Sequence, residues 1–176
     1  MPRSTAPATS VTPAFKVRRS VISGRGAFAT RDITKGERLV EYVGQRITHA
    51  VADAKYNDES MASHHTFLFA VSRQTVIDAS VGGNDARFIN HACDPNCEAV
   101  IEKSRVFIYA RRPIAKGEEL AYDYGYERDG TETAEDEERY ACRCGARKCR
   151  GTILAPKKPA HRKPHHAVAR HTDKLR

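Results

Sequence analysis

Three cysteines lie close together near the end of the sequence and could bind a metal ion. Cys142 and Cys144 are separated by one residue, and Cys149 follows five residues later. Their thiolates could converge on one Zn²⁺, because nearby glycines allow the tight backbone that such a site needs. A structural zinc site has four ligands, so the fourth would come from Cys93 or Cys97. An iron–sulfur cluster and three unpaired surface thiols are the alternatives.

A second group of polar residues lies upstream, in the segment RFINHACDPN at residues 87–96. Asn90, His91, Cys93 and Asn96 surround a proline turn there, and this composition is unusual for core filler. Taken alone, Asn90 and His91 would more often be loop residues that satisfy local hydrogen bonds. The segment is a candidate site only in combination with others.

Tyr122, Tyr124 and Tyr126 stand at alternate positions. Alternate residues of a strand point to the same face of the sheet, so the three rings would share one side. An aromatic ladder is the ordinary explanation for such a stripe. The turn GRG at residues 24–26 permits close approach of the backbone to another group, and on its own this signal is weak.

Short strands are predicted for most of the chain before residue 110, and these would position the reactive groups. Turn residues bound six runs: FKVRRSVI, GAFAT, RLVEYV, TFLFAV, TVIDA and RVFIYA. One helix is predicted from Thr48 to Ser60, with Thr48 as its N-cap. The segments 29–44 and 110–125 share eight identities in 16 positions, which indicates two equivalent β-turn units rather than a repeat array.

Length and composition limit the class of protein. The 176 residues are 40% hydrophobic and 30% charged, which suits one globular domain with its own core. No run of about 18 apolar residues is present, which excludes a transmembrane helix. The start, MPRSTAPATSVTPAF, lacks the apolar region of a secretory signal, so we expect an intracellular protein with no membrane contact. Five cysteines in such a chain favour metal or catalytic chemistry over a disulfide framework.

Composition and charge divide the chain into segments. Residues 1–14 are rich in Pro, Thr, Ala and Ser and predict a disordered leader. Residues 127–138 carry seven acids against one arginine, which predicts a solvated loop within an acidic linker over 127–139. Residues 156–176 hold seven Lys or Arg against one Asp, so most of the net charge of +8 belongs to a basic disordered tail. This tail would suit contact with nucleic acid or serve solubility.

Together the motifs occur in the order and spacing of the SET-domain lysine methyltransferases, and the sequence resembles this family over residues 16–154. The resemblance is carried by GRGAFA, EYVG, RFINHACDPN, GEELAYDY and CRCGARKCRG. It implies a β-rich α+β fold of small curved sheets, with the C-terminal segment beside RFINHACDPN in a pseudoknot. The SET domain would span 15–126, and a zinc-bound post-SET module would span 140–155. Because no cysteine-rich pre-SET segment precedes residue 15, we expect a compact member.

The resemblance also implies a reaction. S-adenosylmethionine would be the methyl donor and a lysine side chain the acceptor, and the two would meet through a narrow channel from opposite faces. Positioning would supply much of the barrier reduction. The acceptor must be a neutral amine, and a tyrosine-lined channel beside the sulfonium would disfavour the ammonium form. No general base is assigned, since water leading out of the channel could carry the proton.

Three tyrosines receive roles from the resemblance. Tyr124 matches the catalytic tyrosine, whose hydroxyl lies near the methyl transfer, and Tyr42 matches a tyrosine that lines the lysine channel. Tyr122 occupies a position where the family alternates between Tyr and Phe. A hydroxyl there would hold a water molecule and crowd out further methyl groups, so we expect mainly monomethylation.

The remaining implied residues would bind the donor and the metal. The donor-binding residues are Ser23, Gly24, Arg25, Phe67, Asn90, His91 and Arg143. Phe67 replaces a donor-contacting Tyr found in many relatives, which would remove a hydrogen bond. The zinc ligands implied are Cys93, Cys142, Cys144 and Cys149. Cys97 would then be a buried, inert thiol.

The expected function is S-adenosylmethionine-dependent lysine methylation of a basic protein such as a histone or histone-like tail. The acidic linker could attract that substrate, and Lys157, Lys158 or Lys163 could be methylated in the chain itself. One alternative is an enzyme for a ribosomal or other non-chromatin protein. Another is a catalytically silent module that binds chromatin or a nucleoid. The expected location is the cytoplasm or nucleoid if the source is bacterial, and nuclear chromatin if it is eukaryotic or if the protein is delivered to a host.

Overall fold

The computed structural model describes residues 13–56, 66–128 and 130–157. In that part of the chain, ten short strands form four small sheets, with two short helices beside them. The strands are β1 (Phe15–Arg19), β2 (Arg25–Ala29), β3 (Arg38–Tyr42), β4 (Gln45–Ile47), β5 (Leu68–Ala70), β6 (Val76–Asp78), β7 (Asn90–His91), β8 (Cys97–Glu102), β9 (Arg105–Ala110) and β10 (Ala121–Tyr122). The helices are α1 (His49–Lys55) and α2 (Ala134–Arg139), and a 3₁₀ turn spans Asp85–Phe88.

Antiparallel pairing dominates the sheets. β1 and β2 form a hairpin, β9 lies between β3 and β8, and β6 lies between β4 and β5. Each of the six predicted runs contains a strand, which confirms that part of the prediction. The strands β4, β7, β8 and β10 are additional: β4 has three residues, β7 and β10 have two each, and β8 ends in two exposed residues, Ile101 and Glu102.

The first helix begins where it was predicted. The hydroxyl of Thr48 accepts a hydrogen bond from the amide of Val51 at 3.3 Å, as an N-cap does. The helix ends at Lys55, earlier than expected, because the backbone of Tyr56 leaves helical geometry. The predicted continuation over 57–60 lies outside the described residues.

Asp78 anchors the end of α1 to β6. Its carboxylate is fully buried and accepts hydrogen bonds from Lys55 (2.6 Å), Tyr56 (2.9 Å) and the amide of Ser80 (2.9 Å). Burial alone would raise the pKa of Asp78, but these donors outweigh it and lower the pKa to about 2. The helix is therefore fixed to the sheet by a buried charge with every partner in place.

The acidic segment contains α2, so the expectation of a loop there is wrong. A capping box begins the helix: Thr133 accepts from the amide of Asp136 at 3.2 Å, and the Asp136 carboxylate accepts from the amide of Thr133 at 2.9 Å. Arg128 then offsets part of the acidic charge by binding Glu137 at 2.7 Å. The density of charged residues does not predict this helix, because the capping residues at its start stabilise it.

The two β-turn units predicted from internal similarity are related by approximate two-fold symmetry. Corresponding residues of the two units are 81 positions apart. The units exchange backbone hydrogen bonds in a symmetric pattern. These bonds run from Ile33 to Ile114 at 2.9 Å and back at 3.0 Å, from Gly36 to Ala110 at 2.7 Å, and from Gly117 to Ala29 at 2.8 Å. The side-chain pairs Arg31–Glu37 and Arg112–Glu118 repeat the same relation.

The core lies where the sheets meet. Ile89, Val106, Ile108 and Leu120 are almost completely buried there. β10 pairs in parallel with β7, so the later strand lies beside RFINHACDPN, as the expected pseudoknot requires. Among the described residues, no helix has the length and apolar character needed to cross a bilayer.

The predicted leader (residues 1–14) and the predicted basic tail (residues 156–176) each overlap the described part of the chain by two residues. The backbone of Thr30 donates to the carbonyl of Ala14 at 3.0 Å, so regular hydrogen bonding reaches into the segment predicted as leader. Residues 1–12 of that leader and residues 158–176 of the predicted basic tail lie outside the described residues, as does the expected nucleic-acid contact of the tail.

Candidate active site and metal centre

Aromatic side chains enclose a cleft of about 400 Å³. The rings of Tyr122 and Tyr124 lie 4.9 Å apart, and those of Tyr42 and Phe69 lie 5.5 Å apart. Tyr126 extends the row, with its ring 6.1 Å from that of Tyr124. The tyrosines thus form the walls of one concave site. Their alternate spacing alone would suggest only a row of rings on one face of a sheet.

Two of the phenols are held in place by backbone carbonyls. The hydroxyl of Tyr42 donates to the carbonyl of Phe67 at 2.9 Å, and that of Tyr124 donates to the carbonyl of Ile89 at 3.0 Å. Burial raises the pKa of Tyr42, Tyr124 and Tyr122 above the ordinary value. All three phenols are therefore protonated at neutral pH, and their oxygens retain the capacity to accept hydrogen bonds.

His91 orients the backbone of Tyr124. The amide of Tyr124 donates to Nδ1 of His91 at 3.1 Å, and the two rings meet edge to face at 5.3 Å. Burial lowers the pKa of His91 to about 4, so the imidazole is neutral and its Nδ1 is free to accept. His91 is a positioning residue for Tyr124 in this arrangement.

A second cavity, of about 360 Å³, adjoins the cleft at Tyr124, which lines both. Of the residues predicted to bind a donor, four line this cavity: Ser23, Asn90, His91 and Arg143. The cleft and the second cavity therefore place a tyrosine at the junction of two separate spaces, the arrangement that two-sided access requires.

Glu119, to which the sequence analysis gave no role, binds Asn90 of the second cavity. Nδ2 of Asn90 donates to Oε1 of Glu119 at 2.8 Å and to the carbonyl of Arg25 at 2.9 Å. Ser20 donates to the other oxygen of Glu119 at 2.9 Å. A Cβ at Gly26 would collide with this carboxylate, which explains the glycine there. Glu119 thus links three separate segments of chain.

Three predicted donor contacts lie elsewhere. Phe67 lines the tyrosine cleft and packs edge-on against Phe88 at 5.7 Å, so its role with a donor stays a prediction. Gly24 has a left-handed backbone with φ of 53°, and Arg25 stacks its guanidinium on Phe88 at 4.0 Å. Neither lines the second cavity, although Ser23 beside them does.

The outer wall of the second cavity comes from the C-terminal segment, and apart from Arg143 none of its residues was predicted to contact the donor. This wall consists of Glu138, Arg139, Tyr140, Ala141, Cys142 and Ile153. Tyr140 also stacks against Tyr126 at 5.9 Å, which joins this wall to the tyrosine cleft. The end of α2 supplies Glu138 and Arg139, which lie in the predicted acidic linker, and the other four residues lie in the predicted post-SET module.

The four predicted zinc ligands converge. The sulfur atoms of Cys93, Cys142, Cys144 and Cys149 all lie within 4.8 Å of one another. Cys93 Sγ lies 3.6 Å from Cys142 Sγ and 3.9 Å from Cys149 Sγ. Tetrahedral zinc with Zn–S bonds of about 2.3 Å would separate its sulfurs by about 3.8 Å, so the spacing fits.

Burial raises the pKa of Cys93 and Cys142, but at Cys144 hydrogen bonds outweigh burial and lower the pKa to about 7. Backbone amides of Arg150 and Gly151 donate to sulfur at 3.4 Å, and such bonds favour the charged form. Cys97 lies apart from this cluster, fully buried, and burial raises its pKa to about 12. The prediction of a buried, unreactive Cys97 is thus confirmed in its burial.

Comparison with known proteins assigns the fold. A family model described as SET domain matches residues 24–125, which is more than half of the chain. The chain belongs to the SET-domain family. The predicted family and its β-rich fold of small sheets are therefore confirmed.

Two curated relatives of this SET-domain chain are much longer proteins. A Saccharomyces cerevisiae protein named histone-lysine N-methyltransferase, H3 lysine-4 specific, is 46% identical over 142 residues, covering 77% of this chain and 13% of that protein. A Drosophila melanogaster protein named histone-lysine N-methyltransferase SETD1 is 38% identical over 144 residues, covering 79% and 8% respectively. The chain thus spans a small fraction of the length of these relatives.

A solved structure shares the fold. It is described as ctPRC2 in an autoinhibited conformation bound to S-adenosylmethionine, and it matches with a TM-score of 0.59 and 30% identity. The match covers 65% of this chain and 15% of that chain.

Proposed function

We propose that this SET-domain chain transfers a methyl group from S-adenosylmethionine to a lysine side chain of a histone. One observation carries the proposal: Tyr124 lines both an aromatic cleft and a second cavity whose lining includes Ser23, Asn90 and His91. The cleft suits the apolar stem of a lysine, and the second cavity suits the donor. The names of the relatives support the same reaction class.

The chain's own residues would bind and orient the two reactants. When bound, S-adenosylmethionine supplies an electrophilic methyl group on a sulfonium. Ser23, Asn90 and His91 would contact the donor, with Arg143 and the loop at 24–25 beside them. Tyr42, Tyr122 and Tyr124 would hold the lysine stem in line with the methyl group. In-line positioning of this kind accounts for a large share of rate enhancement in displacement reactions.

The cleft would also favour the neutral amine. An aromatic enclosure removes water from the ammonium, and the nearby sulfonium repels it, so both effects lower the pKa of the bound lysine. None of the three phenols acts as the base, because burial raises their pKa values. The lysine proton therefore leaves to water at the cleft mouth.

The proposed substrate is the tail of histone H3, and the proposed location is nuclear chromatin. Both curated relatives described above are eukaryotic histone-lysine methyltransferases, and one is named for lysine-4 of H3. These relatives favour a chromatin substrate over a ribosomal one, and a nucleus over a bacterial nucleoid. We also propose that the four clustered cysteines hold one structural zinc.

The test is methyl transfer to histone peptides. The zinc-loaded chain is incubated with S-adenosylmethionine and a panel of H3 and H4 tail peptides, and products are mapped by mass spectrometry. We expect methylation of a lysine in the H3 peptide, reduced about 100-fold or more by Tyr124→Phe, as when other positioned polar groups are removed from active sites. Tyr109→Phe removes a hydroxyl that binds Glu102 outside both cavities, and should leave the rate unchanged.

Two results would contradict the proposal. Equal rates for Tyr124→Phe and the unaltered chain would remove Tyr124 from the reaction. Donor binding without methylation of any peptide or histone would favour a catalytically silent binding module.

The degree of methylation depends on Tyr122 in this proposal. Its ring is buried beside those of Tyr124 and Phe69, so a hydroxyl-bound water would occupy space that further methyl groups need. The unaltered chain should make mainly the monomethyl product, and Tyr122→Phe should raise the proportion of di- and trimethyl products. Mass spectrometry over a full time course measures these proportions. Identical product ratios would exclude this role for Tyr122.

A further inference from the structure

We propose that the guanidinium of Arg87 keeps the acceptor lysine in its neutral form, by repelling an ammonium group in the tyrosine cleft. The proposal rests on the lysine methyltransferase activity proposed above. It adds a charge of the chain itself to the two effects already described, the aromatic enclosure and the sulfonium of the donor. The sequence analysis gave Arg87 no role.

The side chain of Arg87 forms part of the cleft wall, together with Tyr42 and Phe67. Its guanidinium carbon lies 5.6 Å from the centre of the Phe67 ring and 4.9 Å from that of Phe88. Nη1 donates to the carbonyl of Ala79 at 2.9 Å. The charged group is therefore held at a fixed place in the wall by two rings and one carbonyl.

The charge of Arg87 is not neutralised by a neighbour. Among the described residues, none supplies a carboxylate that forms an ion pair with it, and its buried Nε has no hydrogen-bond partner there. The arginines that do bind a carboxylate include Arg31, Arg105, Arg112, Arg128 and Arg150. A guanidinium stays protonated at every pH at which the protein works, and exclusion of water strengthens its field.

Tyr42 reports this field inside the cleft. Its hydroxyl donates to the carbonyl of Phe67 at 2.9 Å, so it lies on the same residue that packs against Arg87. Burial raises the pKa of Tyr42, as do Tyr126 and Asp78 to a smaller extent, whereas Arg87 acts in the opposite direction. A positive charge that helps a phenol to lose its proton also helps an ammonium group beside it to do so. An acceptor lysine next to Tyr42 would experience the same effect.

The acidic groups near the cleft do not cancel the charge. Asp78 is fully buried but binds Lys55 at 2.6 Å, and Glu41 of β3 forms an ion pair with an arginine of β9. Asp85, in the same 3₁₀ turn as Arg87, is exposed, and so is Glu127 at the edge of the cleft. Water and salt screen exposed charges of this kind.

The other titratable groups around Arg87 are cationic or neutral. Arg25 of β2 stacks on Phe88 at 4.0 Å, and the charged residues of β1 are all cations with exposed side chains. The remaining groups of the cleft are phenols whose pKa is raised by burial: Tyr122, Tyr124 and Tyr126. The net field of the cleft wall at neutral pH is therefore positive.

The first test is the pH dependence of methyl transfer. Single-turnover rates with saturating S-adenosylmethionine and histone H3 tail peptide are measured from about pH 6 to about pH 10, so that the inflection belongs to the bound complex. In Arg87→Gln we expect the inflection to move up by about one unit, because the bound ammonium is no longer repelled. The rate should be about tenfold lower below the inflection and unchanged above it. Arg87→Lys keeps the charge and should restore the original inflection.

Arg38→Gln is the matched control. Arg38 also stacks on an aromatic ring, that of Phe107 at 4.9 Å, but it lines neither the cleft nor the second cavity. Its removal should leave the inflection in place. A rate that is lowered by the same factor at every pH in Arg87→Gln would indicate a purely structural role and would overturn the proposal.

The second test measures the lysine directly and needs no methyl transfer. A peptide with an isotope-labelled lysine is bound to the chain with S-adenosylhomocysteine, which lacks the sulfonium charge, and the lysine is titrated by NMR. We expect its pKa to be about one unit higher in Arg87→Gln than in the unaltered chain. Arg87→Met retains an apolar stem against the two rings and serves as a second neutral variant if Arg87→Gln does not fold. Equal pKa values in the unaltered chain and a folded neutral variant would overturn the proposal.

The unaltered chain separates this proposal from the proposed function. Methylation of the H3 peptide with the same pH profile in the unaltered chain and in Arg87→Gln would overturn the role of Arg87 and leave the proposed function intact. Failure of the unaltered chain to methylate any peptide at any pH would overturn both.

Discussion

Tyr124 contacts the spaces proposed for both reactants, so one side chain can align them. Its hydroxyl donates to the carbonyl of Ile89, and its amide donates to His91, which fixes both ends of the residue. Burial raises the pKa of the phenol, so it cannot accept the lysine proton as a phenolate at neutral pH. We infer that its contribution is positional, with its oxygen dipole near the transferred methyl group.

Glu119 should control donor affinity through Asn90. Its carboxylate accepts from both Asn90 and Ser20, so Glu119→Ala leaves two polar groups beside the second cavity without their partner. Such losses cost about 1–3 kcal/mol, so we expect the Kd for S-adenosylmethionine to rise about tenfold or more. Glu119→Gln keeps one acceptor oxygen and should have a smaller effect. Isothermal calorimetry with S-adenosylmethionine measures the Kd.

Glu118 provides the matched control for this prediction. Its carboxylate accepts from Arg112 at 2.6 Å and Asn96 at 2.9 Å, and it lines neither proposed reactant space. Glu118→Ala should lower stability and leave the Kd for the donor near its original value. The KM for a peptide substrate should not change in Glu119→Ala. If both variants weakened donor binding equally, a general loss of stability would explain the effect.

Sequence reasoning found the residues of the second cavity that lie in motifs and missed those that depend on the fold. Ser23, Asn90 and His91 stand in the segments that carry the family resemblance, and the structure brings them together. Glu119 stands in such a segment too, but its partner Asn90 is 29 residues away and Ser20 is 99 residues away. Periodicity and spacing do not encode such pairings, because they arise only when separate strands pack.

At the scale of elements, the short strands β7 and β10 depend on side chains for their position. The side-chain oxygen Oδ1 of Asn96 accepts from the amide of Ala121 at 2.9 Å, and its Nδ2 donates to the carbonyl of Glu119 at 2.8 Å. Two strands of two residues each have few ladder bonds, so this amide extends the pairing. Asn96 in RFINHACDPN is therefore a structural anchor for the tyrosine segment rather than part of either cavity.

The helix α2 and the strands show where local patterns succeed and fail. Alternating apolar runs predict strands well, because one face of each small sheet packs against the core. In α2, six residues rich in charge have no apolar face to reveal them, and all of its residues are at least partly exposed. Its capping box and the Arg128–Glu137 pair stabilise it instead.

Removal of the proposed zinc should open the second cavity. The cysteine cluster joins Cys93 of the SET core to the C-terminal segment that supplies Tyr140 and Ile153 to the cavity wall. Cys93→Ser, or treatment with a chelator, should release one zinc per chain and raise the Kd for S-adenosylmethionine about tenfold or more. Zinc content by mass spectrometry and donor binding by calorimetry measure the two effects.

Cys97→Ala is the control for this prediction. Cys97 is buried outside the cluster, so its removal should lower stability without loss of zinc or of donor affinity. The strand signal in circular dichroism should persist after chelation, because the four sheets do not contain the C-terminal cysteines. Unchanged donor affinity in the metal-free chain would show that the cysteine cluster does not hold the cavity wall in place.

At the scale of the whole molecule, the approximate two-fold symmetry joins the two halves of the SET domain. The unit at 29–44 leads into β3 with Tyr42, and the unit at 110–125 leads into β10 with Tyr122 and Tyr124. The hydrogen bonds that the units exchange therefore connect two segments that both line the cleft. The internal sequence similarity thus reflects a structural requirement of the site.

Ile33 and Ile114 lie at the centre of this symmetric contact and should couple energetically. Both are almost completely buried, and they are direct antiparallel partners. Each change to Ala should lower the free energy of unfolding by about 2–5 kcal/mol. The double variant should lose less than the sum, by about 0.5–3 kcal/mol, because the first change already disrupts the shared contact. Urea unfolding of the unaltered chain, the two single variants and the double variant measures these free energies. As a control, Ile101→Ala at a half-exposed position should lower the free energy of unfolding by at most about 0.5 kcal/mol.

Strict additivity would mean that the two units are stabilised independently. The sheets, rather than the symmetric contact, would then hold the cleft walls together.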